Sequence, residues 1–353
     1  MTPMINFTFR PVAFYTVSVI IPCHNAAMEL RRCLAALAAG QCCGAEYIIV
    51  DDGSTDDIDA VLSSASIPLT TIRTGARRGS AVARNRGALA ACGDVLVFLD
   101  ADTCVHPDTL PKIIAAFCSE PALGALIGAY DDQPSERNFY SQYRNLLHCY
   151  VHRTNSREAC TFWTGCGAVW RDVFLAHGGF NESPGNVDDI EFGRELTRNG
   201  VRIDLRSDIQ VTHQKRWTFY SVLKTDLLLR GIPWTKLIMR ERRIPNALNV
   251  TYRNRATVAL VSFTVLGCFV GLWRPEMREL SLACFCAVLW TNRSFYKFLL
   301  DRRGPEFVLL AVPAHLLHFV VCGLSFAIGS ALFAFSEAQT AAARAQAIEA
   351  DAD

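Results

Sequence analysis

The chain has no cysteine pair at C-x-x-C spacing and no matching histidine cluster, so its 14 cysteines give no zinc-site pattern. They are scattered, some in apolar runs such as Cys284 and Cys286, and read as reduced small hydrophobes. That favours a cytosolic catalytic region. No G-x-G-x-x-G follows the first strand-like run and no G-x-x-x-x-G-K-[ST] occurs, which removes the main support for a dinucleotide oxidoreductase or a P-loop enzyme. No internal repeat is evident, and no secretory signal precedes the first strand. Excess charge is missing too: 35 Lys and Arg against 34 Asp and Glu leave a net +1, which makes no case for a nucleic acid polymer as partner. Apolar residues are plentiful. At 51% hydrophobic and a mean hydropathy of +0.18, the 353 residues suit a globular part joined to membrane-embedded sequence.

The globular part turns on residues 95–102, VLVFLDAD. Val95 to Leu99 is too short to span a membrane and has no polar alternation, so it reads as a strand buried on both faces of a parallel sheet. Asp100 and Asp102 follow, two positions apart and therefore on one side of an extended chain. Ligands of open α/β sheets sit outside the carboxyl ends of the strands, and paired carboxylates there suit Mg²⁺ or Mn²⁺ shared with phosphate oxygens. The plainer reading is a solvated turn in which Asp102 caps the helix after Pro107.

Residues 17–21 (VSVII) predict a first strand, and Leu30, Cys33, Leu34 and Leu37 share one face of a following helix that Asn25 can cap and Gly40 can close. Residues 46–50 (EYIIV) predict a second strand, ended by Asp51 and Asp52 at the ligand edge. Ser54 or Thr55 would start the next helix, with Asp56 and Asp57 in its first turn. A weaker strand over 69–73 precedes a small-residue helix whose Arg84 and Arg86, with Arg77 and Arg78 before it, form either a solvated face or a set of diphosphate ligands.

VSVIIPCHN, IIVDDGSTDD, RGSAVARNRGALAACGDVLVFLDAD, WTGCGAVWRDVFLAHGGF and VDDIEFGREL, in this order, resemble the family 2 nucleotide-sugar glycosyltransferases of the GT-A fold, over about Val17 to Trp217. The resemblance implies a Rossmann-like αβα sandwich, a divalent cation (Mg²⁺ or Mn²⁺) held against the sugar diphosphate, and inversion at the anomeric carbon. By position, Pro22, His24 and Asp52 would line the nucleobase and ribose pocket, with Gly79 and Arg84 nearby. Asp102 would be the principal metal ligand and Asp100 would contact the ribose or the metal shell. His24, Ala26 and Ala27 stand where the family often has an aromatic and a Glu, so the nucleotide stays open between UDP and GDP.

Phe139, Tyr143, Leu146, Leu147 and Tyr150 recur at helical spacing and read as core. Gly165 and Gly167, beside Trp163, let backbone approach a ligand. In the family this segment borders the acceptor. Asp188 and Asp189 open a predicted helix stopped by Gly200. On their own they are an ordinary acidic helix start. The resemblance puts them at the family's Glu-Asp pair, with Asp189 as the base that takes a proton from an acceptor hydroxyl. A strand over 201–211 ends near His213, either a packed histidine or a later metal ligand. Residues 213–217 approximate the Gln-x-x-Arg-Trp of processive polysaccharide synthases, but His213 holds the Gln position and Gln214 comes one residue late, against a product-threading polymerase. Arg216 is a candidate for the diphosphate and Trp217 for stacking on an acceptor sugar.

The expected organisation is a GT-A domain over 1–230, a basic juxtamembrane segment over 231–255, two to three membrane helices over 256–335 and a tail over 336–353. The basic segment carries Lys236, Arg240, Arg242, Arg243, Arg253 and Arg255, which suits anionic lipid headgroups. Residues 217–239 read as an interfacial or a core helix. Ala256–Trp273 and Phe307–Phe335 are uncharged span candidates, and Leu280–Trp290 spans only if flanking residues join it. The sequence reading is thus a multi-pass membrane protein with a cytoplasmic catalytic domain, an inverting glycosyltransferase that moves a sugar from a UDP- or GDP-sugar to a hydroxyl of a lipid or lipid-linked glycan. A polyprenyl-phosphate glycosyltransferase is the alternative within the class, and a catalytically silent membrane scaffold the alternative outside it.

Overall fold

A computed structural model describes residues 15–40, 44–183, 187–242 and 244–350, with side chains to 340. Arg243 of the basic run and the end of the tail lie outside the described residues. The chain divides into two compact units, the first Met1–Pro184 with Asp188–Arg216, the second Gly185–Val187 with Trp217–Asp353.

The first unit runs β1 (Val17–Cys23), α1 (Ala27–Gly40), β2 (Glu46–Asp51), α2 (Ile58–Ser63), β3 (Thr70–Arg73), α3 (Ser80–Ala90), β4 (Val95–Leu99), β5 (Thr103–Val105), α4 (Thr109–Ser119), β6 (Leu123–Tyr130), α5 (Phe139–Thr154), β7 (Glu158–Ala159), β8 (Cys166–Trp170), α6 (Arg171–Ala176), α7 (Asp188–Arg198) and β9 (Arg202–His213). One sheet has the order β3-β2-β1-β4-β8-β6-β9-β5, with β7 paired to β9. β4 is buried along its whole length, as its apolar run requires. Its neighbours differ in direction: β1 is parallel to it, whereas β8 is antiparallel and separates it from β6. The sheet is therefore mixed, a correction to the parallel reading, because burial on both faces says nothing about a partner strand's direction.

Two glycines set close packing around the strand ends. A Cβ on Gly87 would lie 2.5 Å from Ile20 Cγ2, so only glycine lets α3 rest on β1 at this distance. A Cβ on Gly193 would lie 2.1 Å from the Phe162 amide nitrogen, so α7 sits directly on the 161–162 backbone. Phe98 of β4 meets Phe162, Phe174 and Phe180, and Phe192 of α7 completes the cluster. Each ring buried this way stabilises the fold by about 1.5–3 kcal/mol. The cluster joins the strand carrying Asp100 to the helix carrying Asp188.

The expected caps differ. Asn25 has a left-handed φ of 50° and accepts from the Thr55 amide at 2.7 Å instead of capping α1. The Ala27 amide at the start of α1 donates to Asp56 Oδ2 at 2.8 Å. α2 begins at Ile58 rather than at Ser54 or Thr55, so Asp56 serves a neighbouring helix rather than its own. Glycines end α6 and α7, with φ of 76° at Gly178 and 77° at Gly200, the latter as predicted.

The second unit contains α8 (Phe219–Lys224), a π-helical stretch over Thr225–Gly231, α9 (Ile232–Glu241), a short 3₁₀ turn over Leu248–Val250, α10 (Tyr252–Val270), α11 (Glu276–Thr291) and α12 (Arg293–Ala350), which breaks at Gly304. Among the described residues one helix, over Arg293–Thr340, is long and apolar enough to cross a membrane. The expected two to three spans thus reduce to one. The 16 residues of α11 reach about 24 Å at 1.5 Å each, short of a hydrocarbon core about 30 Å thick. α10 has 19 residues but carries Arg253 and Arg255 in its first turn. Val261, Val288 and Phe319 form a small core among α10, α11 and α12. His318 and His315 of α12 face protein: His318 Nδ1 lies 3.0 Å from Asp226 Oδ2, and His315 Nδ1 3.2 Å from the Tyr296 hydroxyl.

Candidate active site

Asp100 and Asp102 follow β4 at the carboxyl end of the sheet, with Ala101 buried between them. Asp102 caps nothing: α4 begins at Thr109, after Asp108. Its backbone carbonyl accepts from the Gln214 amide at 2.8 Å, which ties it to the chain just past β9. That tie brings His213 alongside, with Nε2 3.8 Å from Asp102 Oδ2. Tyr130, last residue of β6, stacks on the His213 ring at 4.2 Å and fixes its plane. Burial alone would push the Asp102 carboxyl up; the His213 imidazole and the Lys215 ammonium outweigh it and hold the group below its ordinary 3.8.

Among the described residues no three His, Cys, Asp or Glu side chains are arranged to hold a metal ion. Asp102 and His213 still fit one of limited demand. Their 3.8 Å separation is too long for a hydrogen bond and within the reach of two ligands about 2.1 Å from a shared ion. Mg²⁺ and Mn²⁺ take one or two protein groups where substrate phosphates and water complete the shell. Asp100 is engaged elsewhere: its Oδ1 accepts from Arg84 Nη2 at 2.8 Å. Arg84 Nη1 reaches Asp188 Oδ2 at 3.1 Å. Residues expected from separate segments, Asp100, Arg84 and Asp188, therefore form one chain of charges, with Asp189 next in α7. Burial lifts the Asp188 carboxyl, Arg84 opposes this, and the group stays above its usual 3.8.

The nucleotide-side candidates also gather. His24 Nδ1 lies 2.9 Å from the Asp52 carbonyl oxygen. The Asp52 carboxylate accepts from the Arg78 amide at 2.8 Å, the Gly79 amide at 2.8 Å and the Thr74 hydroxyl at 3.0 Å. Asp52 thus shapes the loop before α3 together with Arg78 and with Thr74, which was not singled out in the sequence. Pro22 lies in β1 opposite Val50. Arg216 is exposed, and Trp217, which opens the second unit, is buried. Sequence reasoning also missed Tyr130. A continuous apolar run over 123–130, bounded by acids, was the available signal. A cavity of about 590 Å³ lined by Asp59, Leu62, Ser63, Ile67, Leu69, Thr71 and Arg73 contains none of these candidates and lies at the sheet's β3 edge.

Residues 18–177 match the family described as "Glycosyl transferase family 2". The chain carries a family 2 glycosyltransferase domain. This glycosyltransferase is 29% identical over 221 residues to an uncharacterized glycosyltransferase of Haemophilus influenzae, covering 60% of this chain and 71% of the relative. It is 26% identical over 212 residues to the pre-mycofactocin glycosyltransferase of Mycobacterium tuberculosis, covering 57% of this chain and 43% of that one. The chain therefore spans less than half of the second relative. Its fold is similar to a mannosyltransferase of Pyrobaculum calidifontis solved with GDP-Man and Mn²⁺, at 19% identity and a TM-score of 0.53, covering 90% of this chain and 88% of that structure. The first unit is thus a GT-A fold with a family 2 glycosyltransferase domain, and the protein is a transferase.

Proposed function

We propose that this is a membrane-anchored, inverting glycosyltransferase that moves a sugar from a UDP- or GDP-sugar to a hydroxyl on a lipid or lipid-linked glycan. The observation that carries it is the convergence of Asp100, Asp102, Asp188, Arg84 and His213, drawn from or just after four separate elements (β4, α7, α3 and β9), near the carboxyl end of β4. Asp102 and His213 would hold Mg²⁺ or Mn²⁺, which when bound supplies Lewis-acid stabilisation of the departing diphosphate. Pro22, His24, Asp52 and Gly79 form the nucleotide side. Asp189, half-buried at the start of α7, takes the acceptor hydroxyl's proton as that oxygen attacks the anomeric carbon. An acceptor that is already a phosphate anion would not need a base, so a carboxylate here favours a hydroxyl. Arg216 and Lys215, both exposed, would meet the diphosphate.

The anchor reading rests on the one long apolar helix and on exposed apolar side chains of α10, α11 and the turn between them, among them Phe263, Leu266, Phe269, Trp273 and Leu282. The exposed Lys236, Arg240, Arg242 and Arg253 suit anionic headgroups. The test is a screen of UDP- and GDP-sugars with Mn²⁺ on detergent-solubilised protein, reading nucleotide diphosphate release with and without lipid extract. Release that rises with lipid supports the reading. Release that ignores both Mn²⁺ and lipid across the panel rejects it.

A further inference from the structure

Arg84 differs from the surface arginines of the same unit. Arg157, Arg202 and Arg206 share Glu120 and Asp204 in a partly solvated network, whereas Arg84 is only 7% exposed. A guanidinium this deep is tolerated only when paired. Its two pairs lie on different elements, Asp100 at the end of β4 and Asp188 at the first residue of α7. The ring of Phe180 lies 5.8 Å from its Cζ. Its Nε is buried with no hydrogen-bond partner. Each Nη thus donates to a protein carboxylate and Nε is sealed, so the guanidinium bridges two elements of the protein. Burial works against its charge, and Asp100 and Asp188 more than restore it.

We propose that Arg84 is a positioning residue that ties the start of α7 to the end of β4, and so sets Asp189 against the Asp100–Asp102 edge, rather than a ligand of the donor diphosphate. The inference rests on the function proposed above, because the tie matters to rate only if Asp189 is the base. Asp189 sits in the same turn: its Oδ1 accepts from the Ile190 amide at 2.8 Å, its carbonyl accepts from the Phe162 amide at 3.3 Å, and Gly193 one turn on rests against residues 161–162. A lysine in place of Arg84 has one ammonium and cannot present a planar fork to two carboxylates at once.

The test uses the full chain in detergent as Arg84→Gln, Arg84→Lys and the double variant Arg84→Gln/Asp188→Asn. UDP and GDP with Mn²⁺ serve as binding probes, and the donor from the screen above serves for turnover. For Arg84→Gln the expected results are nucleotide Kd within about threefold of wild type, kcat down about a hundredfold, and the acidic limb of the pH–kcat profile moved to higher pH, since a cation beside the carboxylates is gone. Hydrogen exchange should quicken over the first turn of α7 and not over α4, a readout that needs no turnover. Arg84→Lys should recover part of kcat. The double variant removes the stranded carboxylate and should recover the melting temperature without the rate. Nucleotide affinity lost more than tenfold with kcat retained at saturation would make Arg84 a donor ligand and overturn the proposal. Rate returning together with melting temperature in the double variant, or unchanged exchange in α7, would overturn it as well. Failure of the parent reading looks different: wild-type turnover from Asp102→Ala.

Discussion

The two units bury apolar residues in different surroundings. In the first, scattered side chains such as Met28, Leu89 and Leu175 are the large apolar groups left exposed among the described residues, while Phe98, Phe162, Phe174 and Phe180 are almost fully enclosed. In the second, Phe269, Trp273 and Leu309 are 61, 67 and 75% exposed, and α12 has only a thin buried seam. The same hydrophobic composition thus builds a water-excluding core in one place and an outward apolar surface in the other. That contrast makes sense if lipid covers the second surface, since water penalises contiguous exposed apolar area. Under the proposed function the chemistry belongs to the first unit, where the buried Arg84 is paired with Asp100 and Asp188.

The largest break in this comparison should come from Asp102→Ala. Donor turnover is expected to fall about a thousandfold with the melting temperature within a few degrees, because the group is at a strand end and not in the core. Retained turnover would move the chemistry elsewhere. Next is Asp189→Asn: transfer should slow about a hundredfold while UDP or GDP affinity holds, and equal loss of both would make the carboxylate structural. The core then offers a pH signature. Burial pushes the His152 imidazole down to about 4 from 6.5, against the raising effect of its hydrogen bond to the Gly128 carbonyl. Between those values the unfolded chain binds the extra proton, so stability is fully present above pH 6.5 and is lost as pH falls toward 4, on the order of 3 kcal/mol. Chemical denaturation of His152→Gln at pH 4.5 and 7 should show a smaller difference than wild type; an equal difference would remove His152 from this role. The smallest effect concerns the apolar surface. Phe269→Glu should leave catalysis in detergent unchanged and lower binding to anionic phospholipid vesicles about tenfold. Unchanged vesicle binding would argue that this face meets something other than lipid.

Much of the first unit was legible because its signals are local. β4 fell at Val95–Leu99 as read, β2 within one residue, and the helix stop at Gly200 follows from the left-handed backbone that position needs. The edge that carries the candidate site was legible because acids recur at strand ends. The tie through Arg84 was not, since nothing in a small-residue helix says which arginine turns inward. Asn25 and Asp56 were misread for a related reason: each makes its hydrogen bonds across two loops about thirty positions apart, and local capping rules see only neighbours. β8 and β6 are antiparallel partners set by long-range pairing. In the second unit, hydropathy marked all three helices but overcounted spans, because the apolar part of α11 packs as a short hairpin partner of α10, with Ser281 donating to the Thr264 carbonyl at 2.7 Å.

The central claim is tested most directly by a crystal structure with Mn²⁺ and UDP or GDP, locating the metal by its anomalous signal. The account predicts a peak between the Asp102 carboxylate and His213 Nε2, with the diphosphate against it and the base beside Asp52. A metal bound away from Asp102, or a nucleotide seated in the cavity at the β3 edge, would contradict it.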